Sequence, residues 1–416
     1  MKLKILCVYV LLMALTFSAF AGGQQAASST GPVTLNLWHR WSGLNEKTLN
    51  ELTNAFIAKN PGIKVVTSQQ GGEYIELLQK MIADMAARNP SPELFVGGYN
   101  LMDYVHDELN PVLLNNLAPD ANAFKELAGR FQSNIFKLGE VKKDQIGLPF
   151  ALSTCIMYYN EDLFKAAGLS SADVPKTWED IVKVGTIIKQ KTGKFAIGIQ
   201  LPDNWADLSI VYCNGGKMVS DDGKRVAFND PLTAEAIKMW QNLHKLGLAP
   251  VSTDAEIMNS FAAGNIALYV TTIMKIDSLE SQAKFSLKVA EFPAFGTKKR
   301  VLASGGAAII SFARDKSRYN PVWKFMDFAA SQEGMKIFTK TGYICPVKAD
   351  VSIRPGQEIA YRQLQFAVPW TNWPGGPAGL EIDRLYVNKR TEIVQGNLDV
   401  QKTLDQLAAD CNKLLK

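Results

Sequence analysis

Alternating strand and helix patterns in the first hundred residues constrain the fold of this chain most strongly. Apolar strand patterns cover 33–37, 63–66 and 94–96, and helical spacing of apolar residues covers 45–59 and a stretch that begins at Tyr74. Strands joined by helices in this order form a parallel sheet with right-handed crossovers, so their carboxyl ends emerge at one edge. The sequence therefore predicts an α/β fold with a ligand site at that edge.

Aromatic residues and glycines follow the three predicted strands. Trp38 and Trp41 follow the first strand, Tyr74 opens the helix after the second, and Gly97 and Gly98 close the third. Aromatic walls with a few polar groups are typical of small-molecule pockets. Core packing is the alternative for each tryptophan taken alone. Because the three loops share one edge, we expect Trp38 and Trp41 to contact the ligand.

The N-terminus has the pattern of a secretory signal peptide. Lys2 and Lys4 precede an apolar run over 5–17, and the small-x-small site at 19–21 predicts cleavage after Ala21. Cys7 lies inside the apolar run, too early to be the acylated cysteine of a lipoprotein. We therefore predict a signal peptide at 1–21, a disordered lead-in at 22–32 and a periplasmic protein without a lipid anchor.

The length and the charge of the mature chain set further limits. About 395 residues exceed what one hydrophobic core usually supports, which predicts two domains. Removal of the leader takes away two lysines and no acids, so the formal net charge falls from +5 to +3. The longest basic run is only 298–300. This pattern gives no indication of a nucleic-acid partner.

The cysteines and histidines match no metal or redox motif. Four cysteines follow the leader: Cys155, Cys213, Cys345 and Cys411. The four cysteines could form two disulfides in three possible connectivities, but a chain of this size favours buried free thiols. The three histidines, at 39, 106 and 244, are far apart. We predict no metal site and no cofactor.

Several short motifs, each weak alone, occur in one order along the chain. They are Trp38-His39 before Gly43, Asn60-Pro61 before Ile63, Pro149-Phe150, Tyr158-Tyr159-Asn160, Lys176-Thr177-Trp178, Phe261 with Gly264, Gly305-Gly306 and Thr341-Gly342-Tyr343. With these motifs the chain resembles the family 1 extracellular solute-binding proteins of bacterial ABC importers. Within them it is similar to the branch that contains glycerol-3-phosphate-binding and many carbohydrate-binding proteins.

The resemblance implies a two-lobed α/β periplasmic binding protein fold, in which each lobe is a mainly parallel sheet flanked by helices and several crossovers form the hinge. By that analogy the N-terminal lobe takes 33–149 and 272–312, and the C-terminal lobe takes 150–271 and 313–416. The ligand would lie between the lobes and shift the population towards a closed state. The implied protein is a monomer whose closed form the membrane subunits of an ABC importer recognise.

Ligand contacts of the glycerol-3-phosphate branch can be carried over by position. A tyrosine that opens the second helix, a serine after the Pro-Phe crossover, a glycine of the Gly-Gly pair and the tyrosine of Thr-Gly-Tyr fall on Tyr74, Ser153, Gly305 and Tyr343. Trp205 and Thr271 match less closely. The resemblance implies that these six residues contact the ligand.

Two positions depart from that branch and bear on the ligand. The branch has an acid where this chain has Gly98, and an arginine that holds phosphate where the ungapped match is Asp383, with Arg384 one place later. An aspartate repels phosphate and accepts hydrogen bonds from sugar hydroxyls. Trp370 and Trp373 stack on a sugar ring or pack a C-terminal loop. These features favour a sugar, with glycerol 3-phosphate or a glycerophosphodiester as the alternative.

Enzymes form the rival class of function. The sequence lacks a nucleophile-elbow serine motif, a zinc-protease motif, a P-loop and a nicotinamide fingerprint. A secreted glycoside hydrolase needs only two carboxylates about 5 to 10 Å apart, which a sequence does not exclude. A surface adhesin needs an anchor, and this leader supplies none. The resemblance to binding proteins therefore predicts a protein that is not an enzyme.

Overall fold

The computed structural model describes residues 31–416. The predicted signal peptide and nearly all of the predicted lead-in lie outside the described residues. Within the described part, none of the helices combines the length and apolar character that spanning a membrane requires.

The described chain alternates strands and helices along most of its length. The strands are β1 (Val33–His39), β2 (Ile63–Gln69), β3 (Leu94–Gly98), β4 (Glu140–Val141), β5 (Asp144–Gln145), β6 (Gly147–Ser153), β7 (Cys155–Asn160), β8 (Phe195–Ile199), β9 (Ile266–Thr272), β10 (Leu287–Ala290), β11 (Leu302–Ala303), β12 (Gly305–Ser311) and β13 (Ala367–Val368). The α-helices are α1 (Gly43–Lys59), α2 (Tyr74–Ala86), α3 (Met102–Leu109), α4 (Leu114–Leu117), α5 (Ala121–Gly129), α6 (Ser133–Phe136), α7 (Glu161–Ala166), α8 (Trp178–Thr192), α9 (Trp205–Cys213), α10 (Pro231–Lys245), α11 (Asp254–Ala262), α12 (Ile276–Gln282), α13 (Tyr319–Ala329), α14 (Gln332–Phe338), α15 (Gln357–Gln363), α16 (Pro377–Gln395) and α17 (Val400–Leu414).

The first sheet has the strand order β2-β1-β3-β12-β6. Strands β1, β2 and β3 run parallel, with Leu37 of β1 opposite Thr67 and Leu94, which confirms the parallel unit predicted from the sequence. Strand β12 is antiparallel to both of its neighbours. Helices α1 and α2 connect the parallel strands, and the buried residues of β1, such as Leu35 and Leu37, face the core. The carboxyl ends of β1, β2 and β3 therefore share one edge.

The second sheet has the strand order β10-β7-β9-β8. Only β8 and β9 are parallel, whereas β7 is antiparallel to both β9 and β10. This sheet is therefore mixed rather than mainly parallel. The chain enters it along β7 and returns later along β9 and β10, which run in the opposite direction to β7. Helix α8 packs on β8 and is capped by Thr177, whose Oγ1 accepts a hydrogen bond from the amide of Asp180 at 3.1 Å.

The chain crosses between the sheets at points that differ from those implied by the resemblance. Strand β6 remains in the first sheet as far as Ser153, so the first crossing lies at Thr154 rather than near Pro149. Strand β10 pairs with β7 in the second sheet, so of the segment 272–312 only the part from β12 onward belongs to the first sheet. The return crossing is the stretch 291–304.

The C-terminal segment is also shared between the lobes. The resemblance assigned 313–416 to the second lobe, but α13 and α14 pack on α1 of the first lobe. Helix α15 contacts β7 and β10, and α16 and α17 contact α10, so these three helices belong to the second lobe. Strands β11 and β13 pair in parallel beside the crossings. The four cysteines after the leader are buried free thiols, which agrees with the prediction.

Candidate ligand-binding site

A cavity lies between the two sheets, with an empty volume of about 650 Å³ that includes space open to solvent. Residues of the first lobe and the first crossing contribute one wall: Arg40, Glu73, Tyr74, Ser153, Gly305 and Tyr343. The second lobe and the C-terminal loop contribute the other: Gln200, Asp203, Trp205, Asp254, Lys275 and Trp370. The predicted edge of the first sheet therefore forms part of a cavity between the lobes.

Arg40 and Glu73 form an ion pair at the carboxyl ends of β1 and β2. One guanidinium nitrogen of Arg40 lies 2.9 Å from Glu73 Oε2, and Nε donates to the carbonyl of Gly72 at 2.8 Å. Glu73 is also the N-cap of α2, where its side chain and that of Glu76 form a capping box. The positive charge of Arg40 is therefore already matched within the protein.

Tyr74 is the first residue of α2 and lies under Arg40, whose Cζ is 4.7 Å from the ring centroid. Its hydroxyl is buried and has no hydrogen-bond partner among the described residues. Burial raises the pKa of Tyr74 well above its ordinary value, so the hydroxyl remains protonated. Because buried polar groups are rarely left unpaired, this hydroxyl is available to a ligand.

Tyr343 reaches the cavity from the loop after α14. Its hydroxyl accepts a hydrogen bond from Trp41 Nε1 at 3.2 Å, and its ring stacks on Phe338 with centroids 5.7 Å apart. Trp41 is buried behind Tyr343, where its ring packs against Phe150 and Phe338. The hydroxyls of Tyr343 and Tyr74 lie close enough for Tyr343 to help raise the pKa of Tyr74, so both tyrosines present their hydroxyls at the same part of the cavity.

The two tryptophans of the cavity pack on each other and on a glycine. The rings of Trp205 and Trp370 are 6.1 Å apart with an interplanar angle of 35°. Trp205 Nε1 donates to the carbonyl of Ala303 at 2.9 Å, and Trp370 Nε1 donates to Asn204 Oδ1 at 2.7 Å. A Cβ at Gly305 would lie 2.7 Å from the Trp205 ring. Both indole N–H groups donate to acceptors within the protein, so a ligand can contact these tryptophans only through their ring surfaces.

Lys275 and Asp254 form a second ion pair, on the opposite wall of the cavity. Lys275 Nζ donates to Tyr269 Oη at 2.8 Å and lies 3.5 Å from Asp254 Oδ2. The other carboxylate oxygen of Asp254 accepts from the amide of Leu201 at 3.2 Å. Both cations of the cavity lining, Lys275 and Arg40, are therefore paired with carboxylates of the protein.

Asp203 carries the remaining negative charge of the lining. Its Oδ1 accepts from the amide of Trp205 at 3.0 Å, and no ion pair to this carboxylate is present among residues 31–416. Burial raises the pKa of Asp203 to about 6, and the nearby carboxyl of Asp383 acts in the same direction. At neutral pH the cavity thus has three carboxylates against two cations, and Asp203 is free to accept hydrogen bonds from a ligand.

The sequence of the chain matches a family model for bacterial extracellular solute-binding proteins over residues 51–359. This match covers well over half of the chain. The chain belongs to that family.

Curated relatives of this solute-binding protein cover almost its whole length. The sn-glycerol-3-phosphate-binding periplasmic protein UgpB of Escherichia coli (strain K12) is 27% identical over 438 residues, which cover 96% of this chain and 97% of the relative. The protein of the same name from Shigella flexneri matches to the same extent.

Solved structures confirm the two-lobed α/β fold of periplasmic binding proteins. The cyclic alpha-maltosyl-1,6-maltose binding protein from Arthrobacter globiformis superposes with a TM-score of 0.79 at 19% identity, and the match covers 93% of this chain and 100% of that one. UgpB from Mycobacterium tuberculosis in complex with glycerophosphocholine also gives 0.79, at 22% identity, with 93% and 98% covered. At these identities the likeness shows the fold alone.

Six of the residues predicted for the site of this solute-binding protein line the cavity: Tyr74, Ser153, Trp205, Gly305, Tyr343 and Trp370. Thr271 does not. Its hydroxyl donates to Gln200 Oε1 at 2.5 Å, and the next residue, Thr272, lines the cavity instead. Successive residues of a strand point to opposite faces, so a shift of one position moves a side chain out of the site.

Three of the predicted tryptophans, Trp38, Trp41 and Trp373, do not line the cavity. Trp38 is half-buried on β1, where Lys80 Nζ of α2 lies 5.3 Å from its ring. Trp373 packs against Phe228 and Tyr386, with ring centroids 5.8 and 5.4 Å away. For Trp373 the core-packing alternative is therefore the observed one. For Trp38 and Trp41, the expected ligand contact has no counterpart in the cavity lining.

Asp383 and Arg384 are also outside the cavity lining. Asp383 is half-buried and accepts from Trp373 Nε1 at 2.6 Å, whereas Arg384 is exposed and pairs with Glu381. The buried face of α16 includes Ile382 and Tyr386, at a spacing of four residues, which turns Arg384 to solvent. The ligand contacts predicted for Asp383 and Arg384 therefore have no counterpart in the lining of this cavity.

None of the five charged residues of the lining was predicted from the sequence: Arg40, Glu73, Asp203, Asp254 and Lys275. Arg40 directly follows β1 and Glu73 directly precedes α2, so the rule that ligands bind at strand ends could have found both. Asp254 and Lys275 flank helix and strand ends in another part of the chain, and only the packing of the second lobe brings them together. Gly98 has a local explanation, because a Cβ there would lie 2.8 Å from the Tyr74 ring.

Proposed function

We propose that this solute-binding protein captures a neutral sugar between its lobes and delivers it to the membrane subunits of an ABC importer. The observation that carries the proposal is the charge arrangement of the cavity: both cations are paired, and Asp203 is left as an acceptor. Sugar hydroxyls are donors that suit such a carboxylate. A phosphate instead needs an uncommitted cation, preferably an arginine fork.

Aromatic residues on both walls support the same ligand class. Trp205 and Trp370 present ring surfaces, with their N–H groups already bonded within the protein. Such surfaces suit the apolar face of a sugar ring. Tyr74 and Tyr343 supply hydroxyls from the first lobe, so a ligand that touches both walls ties the lobes together.

Glycerol 3-phosphate or a glycerophosphodiester is the second candidate. Two observations favour it: the 27% identity to glycerol-3-phosphate-binding relatives across the whole chain, and the presence of Arg40 in the cavity lining. For phosphate to bind, Arg40 has to leave Glu73 or be shared with it. The role as an importer's binding protein is the same for either ligand.

The proposed mechanism is hinge closure of a monomer in the periplasm. The ligand binds the closed arrangement of the lobes more tightly than the open one and so increases its population. The protein reaches the periplasm through a signal peptide cleaved after Ala21, without lipid attachment at Cys7. It returns its ligand chemically unchanged, as expected of a binding protein and not of a glycoside hydrolase.

A thermal-shift screen tests the ligand class. Neutral mono- and oligosaccharides, glycerol 3-phosphate and glycerophosphocholine are compared at equal concentrations, because a ligand of the folded state raises the melting temperature by mass action. A shift with a neutral sugar, and recovery of that sugar intact after long incubation, supports the proposal. A shift with phosphate compounds alone supports the second candidate, and hydrolysis of the sugar contradicts the binding role.

A further inference from the structure

Arg390 of α16 is fully buried next to the wall of the cavity. One of its terminal nitrogens, Nη2, donates to the carbonyl oxygens of Leu201 at 2.9 Å and Asp203 at 2.8 Å. Its Nε lies 2.9 Å from Asp207 Oδ2, and both side chains of that pair are fully buried. Its Cζ is also 5.1 Å from the ring centroid of Trp240. Arg390 therefore joins α16, α9 and α10 to a single loop.

That loop, residues 200–204 with Trp205 at its end, supplies much of the second wall. Gln200, Pro202, Asp203 and Trp205 all line the cavity. From the outer side, Arg390 holds two carbonyls of the loop, and from the other side Asp254 accepts the amide of Leu201. The position of the Asp203 carboxylate and of the Trp205 ring thus depends on a residue that does not line the cavity.

The chemistry of these contacts suits a buried guanidinium. One of its nitrogens donates to both carbonyls, while its charge lies beside the carboxylate of Asp207. An apolar residue in its place leaves both carbonyls unpaired. A buried charge is also costly unless it is paired, which the contact with Asp207 provides.

We propose that Arg390 is a positioning residue that fixes the 200–205 wall and so sets the affinity and selectivity of the cavity. The inference rests on the proposed function, because it concerns the same cavity. It assigns Arg390 no contact with the ligand. Its hydrogen bonds hold the backbone of Leu201 and Asp203. Its charge also acts on the Asp203 carboxyl, where burial raises the pKa and the charge of Arg390 lowers it.

Four variants separate this role from a general contribution to stability. Arg390→Met removes all contacts of the guanidinium. Arg390→Met combined with Asp207→Asn also removes the carboxylate that would be left unpaired, so the fold is less strained than in the single variant. Asp207→Asn alone retains the donors to the two carbonyls. Gln241→Leu is the matched control, because Gln241 is equally buried and donates to the carbonyls of Ile393, Gly396 and Leu398, away from the cavity.

Hydrogen exchange without any ligand is the first readout, so its result does not depend on the proposed function. In both variants that lack Arg390, we expect the hydrogen-bonded amides of Gln200, Leu201 and Trp205 to exchange about tenfold faster than in the parent. Gln241→Leu should leave these amides protected, and Asp207→Asn shows how much of the loosening comes from loss of the ion pair alone. The proposal would be overturned if these amides exchanged equally fast in Gln241→Leu, or if their exchange rates were unchanged in the variants that lack Arg390.

Ligand titrations provide the second readout. Maltose and sn-glycerol 3-phosphate serve as probes, and the affinity ratio of the two is compared between parent and double variant. A changed ratio in the double variant, with the parent ratio in Gln241→Leu, supports a positioning role. An unchanged ratio, or the same change in both, contradicts it. If the parent binds neither probe, the proposed function fails in its present form, and the exchange data still decide the role of Arg390 in the loop.

Discussion

The hydroxyl of Ser153 lies 2.6 Å from the hydroxyl of Thr272, and this contact joins the last residue of β6 to the last residue of β9. The two strands belong to different sheets, so the contact lies where the lobes meet. Both residues also line the cavity. The hydrogen bond therefore connects the two lobes within the lining of the site. We expect the lobes to rotate about a point close to the bound ligand.

Replacement of Tyr74 with phenylalanine tests whether the unpaired hydroxyl serves the ligand. The change should weaken binding of the sugar identified by the thermal-shift screen by roughly 1 to 3 kcal/mol, because a ligand group loses its partner in a buried site. Titration calorimetry measures the effect. Tyr361→Phe is the control: its hydroxyl accepts from the amide of Cys345 outside the cavity, so it should alter stability and leave affinity unchanged. Equal affinities in parent and Tyr74→Phe would remove Tyr74 from the site.

Replacement of Gly305 with alanine tests the packing of the second wall. The added Cβ would lie 2.7 Å from Cε2 and Cζ2 of Trp205, so the ring has to shift. Overpacking of this kind typically costs about 1 to 3 kcal/mol in the free energy of unfolding, and the displaced ring should also weaken sugar binding. Gly62→Ala adds a Cβ in open space and should leave both quantities near the parent values. Urea unfolding and calorimetry check the result, and indistinguishable behaviour of the two variants would contradict the packing argument.

The elements of the fold were predictable because their signals are local. The apolar patterns that predicted a strand at 33–37 and a helix at 45–59 depend only on neighbouring residues, and the structure confirms both elements. The wall that contains Asp203 was not predictable, because its position is set by Arg390, which is far away in sequence. Asp383 and Arg384 show a second limit: matching by position does not reveal which face of a helix is buried.

Ligand affinity should depend on pH through Asp203, whose pKa burial raises to about 6. An acid with a raised pKa in the folded state stabilises the fold most below its unfolded pKa of about 3.9, and this contribution is lost as the pH rises to about 6. Binding has the opposite dependence, because ligand hydroxyls donate to the carboxylate. Sugar affinity should therefore fall as the pH decreases through about 6.

Calorimetry at about pH 5 and about pH 7 checks this dependence for the parent and for Asp203→Asn. The asparagine variant does not titrate, so its affinity should change little between the two values. If the variant retains the full pH dependence of the parent, another group is responsible.

Replacement of Arg384 with alanine should not affect the binding of any ligand. The side chain is exposed, pairs with Glu381 three residues earlier, and is not part of the cavity lining. Exposed pairs of this kind contribute little to stability, so the melting temperature should also remain close to that of the parent. Titration with glycerol 3-phosphate and with the selected sugar provides the measurement. Loss of phosphate binding in Arg384→Ala would restore the phosphate role that its position in the sequence suggested.

Small-angle X-ray scattering tests the central claim, that a ligand is captured between two lobes that close over it. The radius of gyration is measured for the parent protein alone and with the selected sugar at a concentration that calorimetry shows to be saturating. Trp205→Ala at the same sugar concentration serves as the comparison, because it removes one ring of the second wall. We expect the radius of gyration of the parent to fall when the sugar binds, and we expect a weaker change for the variant. An unchanged radius in the saturated parent would contradict closure around the ligand.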